Sequence, residues 1–212
     1  MSTPIRIVYA PHTYEKIIEK SRFITYTAHV DSEESARAFL AEIRKQHTLA
    51  THVCFAFVAD KLGNLQRFSD DGEPQGTAGI PILEVIKAKK LFETAVAVVR
   101  YFGGIKLGAG GLVRAYASSA AECLDGADIR TLETCVEYTF EVDYTGVDSM
   151  QKYISTHTCS LLSTEYGEKV LFQTAVKKAD ETAFVNGLVD YMQGRVEFLR
   201  GEEYYAPFKE EK

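Results

Sequence analysis

The chain has 212 residues, 46% of them hydrophobic, enough for one sizeable core or two modest ones, since domains commonly run to about 100–150 residues. A net charge of −6 argues against a general duplex-DNA binder, whose affinity comes largely from a basic surface. No stretch approaches the roughly 20 apolar residues of a membrane helix, and the opening Met-Ser-Thr-Pro-Ile-Arg lacks a secretory pattern, so a cytoplasmic protein with no membrane partner is expected.

Tyr14 to Val30 is rich in Ile, Tyr, Thr and Phe with a charged break around Lys20 to Arg22, which predicts two paired strands. Asp31 then opens a helix: Asp31 and Glu34 have capping-box spacing, and Ala36, Phe39, Leu40 and Ile43 share one face. Thr51 to Ala59 is apolar at both parities, so it predicts a central strand covered on both sides. Arg67 to Gly79 is too rich in Gly, Pro and Asp for regular structure and predicts a loop.

Pro81 fits the first turn of a following helix with Ile82, Leu83 and Ile86 inward. Thr94 to Val99 reads as a fully buried strand. It leads into the segment Arg100 to Gly111, after which a helix runs to about Leu124 with Leu112, Tyr116, Ala120 and Cys123 on one face and Gly126 past its end.

A linker is expected within Gly126 to Arg130, dividing domains at 1–128 and 131–212. Beyond it, Leu132, Val136, Tyr138, Phe140, Val142 and Tyr144 alternate with Glu133, Glu137, Glu141 and Asp143, the pattern of a strand with one face to core and one to water. Val147, Met150 and Ile154 predict a helix; two strands should meet near Gly167; Asp180 should cap a helix bearing Phe184, Leu188 and Tyr191; and Arg195 to Tyr205 should form the last strand. The order β-α-β-β-α-β is that of a ferredoxin-like domain, and the whole chain reads as α+β. Residues 1–130 carry 16 basic against 15 acidic residues, and residues 131–212 carry 8 against 15. Contact with nucleic acid should therefore fall to the first part.

Five glycines between a buried strand and a helix, at Gly103, Gly104, Gly108, Gly110 and Gly111, let backbone approach a ligand, and the helix start offers N–H groups to an anion. Arg100, Lys106 and Arg114 add positive charge, and Tyr101 and Phe102 offer faces on which a base could stack. Alternatively, the glycines only permit a tight crossover and the aromatics fill core; the combination favours anion binding. Asp70, Asp71 and Glu73, with Gly72, Gly76 and Thr77 nearby, could hold Mg²⁺ or supply a base, but such runs are more often turns in which Asp bonds its own backbone. This second loop and the glycine-rich segment are expected to line one cleft. His47 and His52 read as packed or surface histidines, the four separated cysteines as small buried hydrophobes, and Ser118 and Ser119 as structural. No catalytic set, metal site or cofactor motif is evident.

Ser21-Arg22-Phe23-Ile24, Asp70-Asp71-Gly72-Glu73-Pro74 with Gly76-Thr77-Ala78-Gly79, and above all Val99-Arg100-Tyr101-Phe102-Gly103-Gly104-Ile105-Lys106-Leu107-Gly108 resemble the YigZ/IMPACT family across essentially the whole chain. The resemblance implies a first domain like the second domain of ribosomal protein S5, a fold shared with translocation elongation factors and small-molecule kinases. It implies a second, ferredoxin-like domain resembling the C-terminal domain of elongation factor G, in a bacterial-type member. Eukaryotic members regulate translation through protein contacts; for a bacterial-type member the resemblance implies action near RNA, the ribosome or translation factors, which are the expected partners. The competing expectations are an enzyme or binder acting on a small phosphorylated metabolite, and a protein-interaction adaptor that uses no nucleic acid.

Overall fold

The structure, a computed structural model, describes residues 4–209. The first three and last three residues, which include the Met-Ser-Thr of the expected N-terminal reading, lie outside the described residues. The chain is mixed α/β and falls into two compact units; among the described residues one comprises Ile5–Thr131 with Lys209 and the other Leu132–Phe208 with Pro4.

The first unit is built on an antiparallel sheet of order β2-β3-β6-β4-β5, with β2 His12–Ile18, β3 Ser21–His29, β4 His52–Val58, β5 Gln66–Ser69 and β6 Thr94–Tyr101. The middle strand β6 is the run of Ala and Val expected to be buried, and Ala95 to Val99 are each fully enclosed. Alternate β6 side chains enter two cores, as the period of two in a strand requires. Val96 and Val98 join Cys54, Ala56, Ile82, Ile86, Leu112 and Tyr116 on one face. Ala95, Ala97 and Val99 join Val53, Phe57, Ala36, Leu40 and Ile43 on the other. Helices α2 (Gly79–Ala88) and α3 (Gly108–Gly126) supply the first core and α1 (Glu33–Gln46) the second.

Several expectations are corrected locally. Helix α1 is capped by Ser32, not Asp31: Ser32 is extended, its hydroxyl accepts the Ser35 N–H, and Ser35 closes the box in place of Glu34. The Asp31 carboxylate instead accepts the two serine hydroxyls. The segment expected as loop from Arg67 begins with β5, because Gln66 to Ser69 find a ladder partner in Val58 to Phe55. Strand β1 (Ile5–Val8) was not expected; Phe92 donates to its Arg6 carbonyl. Gly126 ends α3 rather than following it.

In the second unit the element order is β7 (Ile129–Val142, beginning in the first unit), α4 (Val147–Thr156), β8 (Cys159–Tyr166), β9 (Val170–Lys177), α5 (Glu181–Tyr191) and β10 (Glu197–Lys209), with a turn of 3-10 helix at Tyr144–Gly146. Strand order runs β7-β9-β8, and β10 also pairs with β7. Val136, Tyr138, Phe140 and Val142 pack with Met150 and Ile154 of α4 and Phe184 and Leu188 of α5 in one core. Asp180 stands at the start of α5, but its carboxylate makes no capping bond, since the residue has helical rather than extended backbone.

Candidate functional site

The glycine-rich segment leaves the end of β6 and enters α3. Gly103 sits so close to the β2–β3 turn that a Cβ there would lie 2.0 Å from the Lys20 carbonyl. Gly104 and Gly108 adopt left-handed backbone (φ 87° and 69°) with open space where a Cβ would be, so conformation rather than crowding selects glycine. Leu107 occupies the N-cap position of α3 without a side-chain cap, and no acidic residue stands in the first turn. Among the described residues no side chain accepts the first N–H groups of this helix, and the helix dipole adds partial positive charge there. Lys106 and Arg114 are exposed on either side of this start. They form no ion pair among the described residues.

A groove of about 380 Å³ runs beside them, lined by Ile18, Ile105, Lys106, Leu107, Arg114 and Ala115 among others. Its far wall is the β2–β3 turn rather than the Asp70–Gly79 loop. The two loops expected to share a cleft meet through packed side chains, Arg100 against Glu73.

That contact corrects the expected role of Arg100. Its side chain is only 5% exposed and ion-pairs with Glu73, itself 4% exposed, at 2.6 Å. A second nitrogen donates to the Ser21 hydroxyl at 3.2 Å. Arg100 cannot grip an external phosphate without breaking a buried pair. The Glu73 oxygen that takes Arg100 also accepts the hydroxyl of Tyr116 at 2.7 Å. Burial pushes the Tyr116 hydroxyl and the Cys54 thiol up, the thiol to about 12, so both stay protonated. Phe102 is exposed at the surface with the Arg100 guanidinium 5.4 Å from its ring centre, and its N–H donates to Thr51. Tyr101 turns the other way, its hydroxyl 2.8 Å from His47 Nδ1, while Tyr26 holds Nε2 at 2.7 Å. The tyrosine is thereby fixed in the fold rather than presented for stacking.

The acidic loop is likewise turned inward. Asp70 accepts the N–H groups of Gly76, Ala78 and Gly79 at 2.8–3.0 Å, filling at the start of α2 the place that is open at the start of α3. Burial opposes ionisation of Asp70, but these amides outweigh it and hold its carboxyl below the ordinary range. Asp71 is held low in the same way: burial opposes, while Arg44 and the Val53 N–H prevail. Gly72 packs near His52, whose Nδ1 meets the Asp71 carbonyl at 2.8 Å, and the Thr77 hydroxyl donates to Pro74. Among the described residues no three His, Cys, Asp or Glu side chains gather to hold a metal ion. Cys54, Cys123 and Cys135 are buried and Cys159 half-buried. Ser21, Thr51 and Tyr116 hold the site together, yet nothing in their residue types signals a site; Ser21 alone of the three lies in a motif, beside Arg22 and Phe23.

The molecule is thus a two-unit mixed α/β protein whose first unit presents a cationic, glycine-rich helix start. Residues 19–124 match the Impact N-terminal domain, and residues 140–195 match a domain of unknown function. The chain is 39% identical to IMPACT family member YvyE of Bacillus subtilis, over 91% of this chain and 88% of that protein. It is 37% identical to IMPACT family member YigZ of Escherichia coli, over 92% and 96%. A solved structure described as a hypothetical protein is 35% identical, with a TM-score of 0.61 and coverage of 94% and 98%. The chain belongs to the YigZ/IMPACT family.

Among the described residues no helix is long and apolar enough to cross a membrane.

Proposed function

We propose that this protein is a cytoplasmic accessory or regulatory factor of translation that binds RNA or the ribosome through the start of α3. The observation that carries the reading is the pairing of an uncapped helix N-terminus with two exposed cations, Lys106 and Arg114, that have no carboxylate partner among the described residues. Phosphate is the natural occupant of such a place, and the exposed Phe102 offers a stacking face nearby. The element and strand order of the second unit supports a ferredoxin-like fold, and family membership supports an S5 domain 2-like first unit. Both fold types occur in translation factors. A second reading is favoured by the groove, whose size suits a small phosphorylated ligand.

The test is anisotropy of a labelled single-stranded RNA at several salt concentrations, with wild type and with Lys106→Ala/Arg114→Ala. Two phosphate contacts at about 0.7 each give a log–log salt slope near −1.4, which the double variant should abolish. Salt-independent binding, or a variant that binds like wild type, refutes the reading. Absence of RNA binding together with saturable binding of inorganic phosphate or a nucleotide transfers it to the second.

A further inference from the structure

The two ends of the glycine-rich segment are tied to each other through the protein interior. At its leading end, the Gly103 N–H donates to the Ser21 hydroxyl at 3.2 Å, and the same hydroxyl receives Arg100. Arg100 reaches Glu73, and one oxygen of Glu73 receives Tyr116, which lies on α3 eight residues beyond Gly108. Gly103, Ser21, Arg100, Glu73 and Tyr116 therefore form one unbroken chain of polar contacts from the segment's first glycine to the helix that closes it. Ser21, Arg100, Glu73 and Tyr116 are all buried, where low dielectric strengthens each bond and makes its loss costly. The aromatic rings reinforce the same path: Phe23 meets Tyr116 edge-on at 5.5 Å and lies 5.4 Å from the Arg100 guanidinium.

We propose that Tyr116, acting through Glu73 and Arg100, is the positioning residue of the binding segment: its hydroxyl clasps α3 to β6 and so sets where the Gly104–Gly108 backbone, Lys106 and Arg114 stand for a phosphate. The inference rests on the proposed RNA-binding role of that segment. Tyr116 touches no ligand itself. Its ring packs in the core with Leu112 and Ala120 whether or not the hydroxyl is present, so the hydroxyl can be removed without removing the packing.

The experiment is Tyr116→Phe in the full chain, read by amide hydrogen exchange and by titration with labelled single-stranded RNA at several salt concentrations. Loss of a buried hydrogen bond to a carboxylate should raise local opening about tenfold or more. Exchange should therefore accelerate by that factor over Gly103–Gly111 while Ala95–Val99 of β6 keeps its protection. RNA affinity should fall several-fold with the salt slope unchanged, because the two cations remain; Lys106→Ala/Arg114→Ala should instead flatten the slope. Unchanged exchange, or protection lost evenly through β6, overturns the clasp. Faster local exchange with unchanged affinity, in a wild type that binds, overturns its positioning role. A wild type that binds no RNA refutes the functional reading and with it the positioning role, while the exchange arm still decides the clasp.

Discussion

Breaking the Arg100–Glu73 pair one partner at a time should be far more damaging than removing both. Each charge is withdrawn from water, with side chains 5% and 4% exposed, so Arg100→Ala leaves the Glu73 carboxylate buried with the Tyr116 hydroxyl on one oxygen and His52 Nε2 3.8 Å from the other. Stranding one member of such a pair costs about 3–5 kcal/mol, whereas replacing both by apolar groups of similar volume is often close to neutral. For a protein of this size each kcal/mol moves the melting temperature by about 2–4 °C, so Arg100→Ala should lower the first unit's midpoint by roughly 6–20 °C. Arg100→Met/Glu73→Leu should recover most of that loss. The assay is a double-mutant cycle in urea, followed by circular dichroism with a check that the slope of free energy against denaturant is constant. A coupling energy of about 3 kcal/mol is expected. Single variants costing less than about 1 kcal/mol, or costs that simply add, would show that the pair is not buried as described. The same physics means that lost RNA binding in Arg100→Ala would report unfolding rather than a lost phosphate contact.

Gly103→Ala should destabilise by more than about 3 kcal/mol, because its Cβ would lie 2.0 Å from Lys20 backbone that cannot move cheaply; Gly104→Ala, facing open space, should cost only the left-handed strain of about 1–2 kcal/mol. Equal midpoints in thermal unfolding would contradict this geometry. Asp70 and Asp71 have lowered carboxyl pKa values in the folded state, so their stabilisation is complete above the unfolded value of about 3.9 and is lost as pH falls from there through the folded values. Asp70→Asn should therefore flatten the acid limb of a stability–pH curve, and an unchanged limb would refute the assignment. Burial raises the Cys54 and Cys123 thiols to about 12 and the Cys159 thiol to about 11, so a thiol reagent at pH 8 should label the native protein slowly and the urea-unfolded protein quickly. Rapid stoichiometric labelling of native protein would count against that burial.

Where the information was periodic and local, the sequence alone sufficed for most positions; Tyr144 and Tyr191, expected on covered faces, are exposed. Ala36, Leu40 and Ile43 at helical spacing, the unbroken Ala-Val run of β6 and the alternation of β7 each state which face is covered, because a residue's direction follows from its neighbours two to four positions away. The candidate segment was legible in outline: glycines at the strand-to-helix passage, with Lys106 and Arg114 alongside, marked it, although Gly108, Gly110 and Gly111 lie within α3 rather than ahead of it. Short strands such as β1 and β5 escaped because they owe their form to a partner rather than to pattern; β5 is a strand only because Phe55 to Val58 lie beside it. The competition for the α1 cap between Asp31 and Ser32 was likewise settled by backbone conformation.

Tertiary structure alone decided what the charges do. Arg100, Lys106 and Arg114 all read as cations in the sequence, yet one is enclosed beside a carboxylate 27 positions earlier and two face solvent. Whether a cation serves the fold or a ligand depends on which groups, distant in sequence, come within hydrogen-bond reach once the strands have paired.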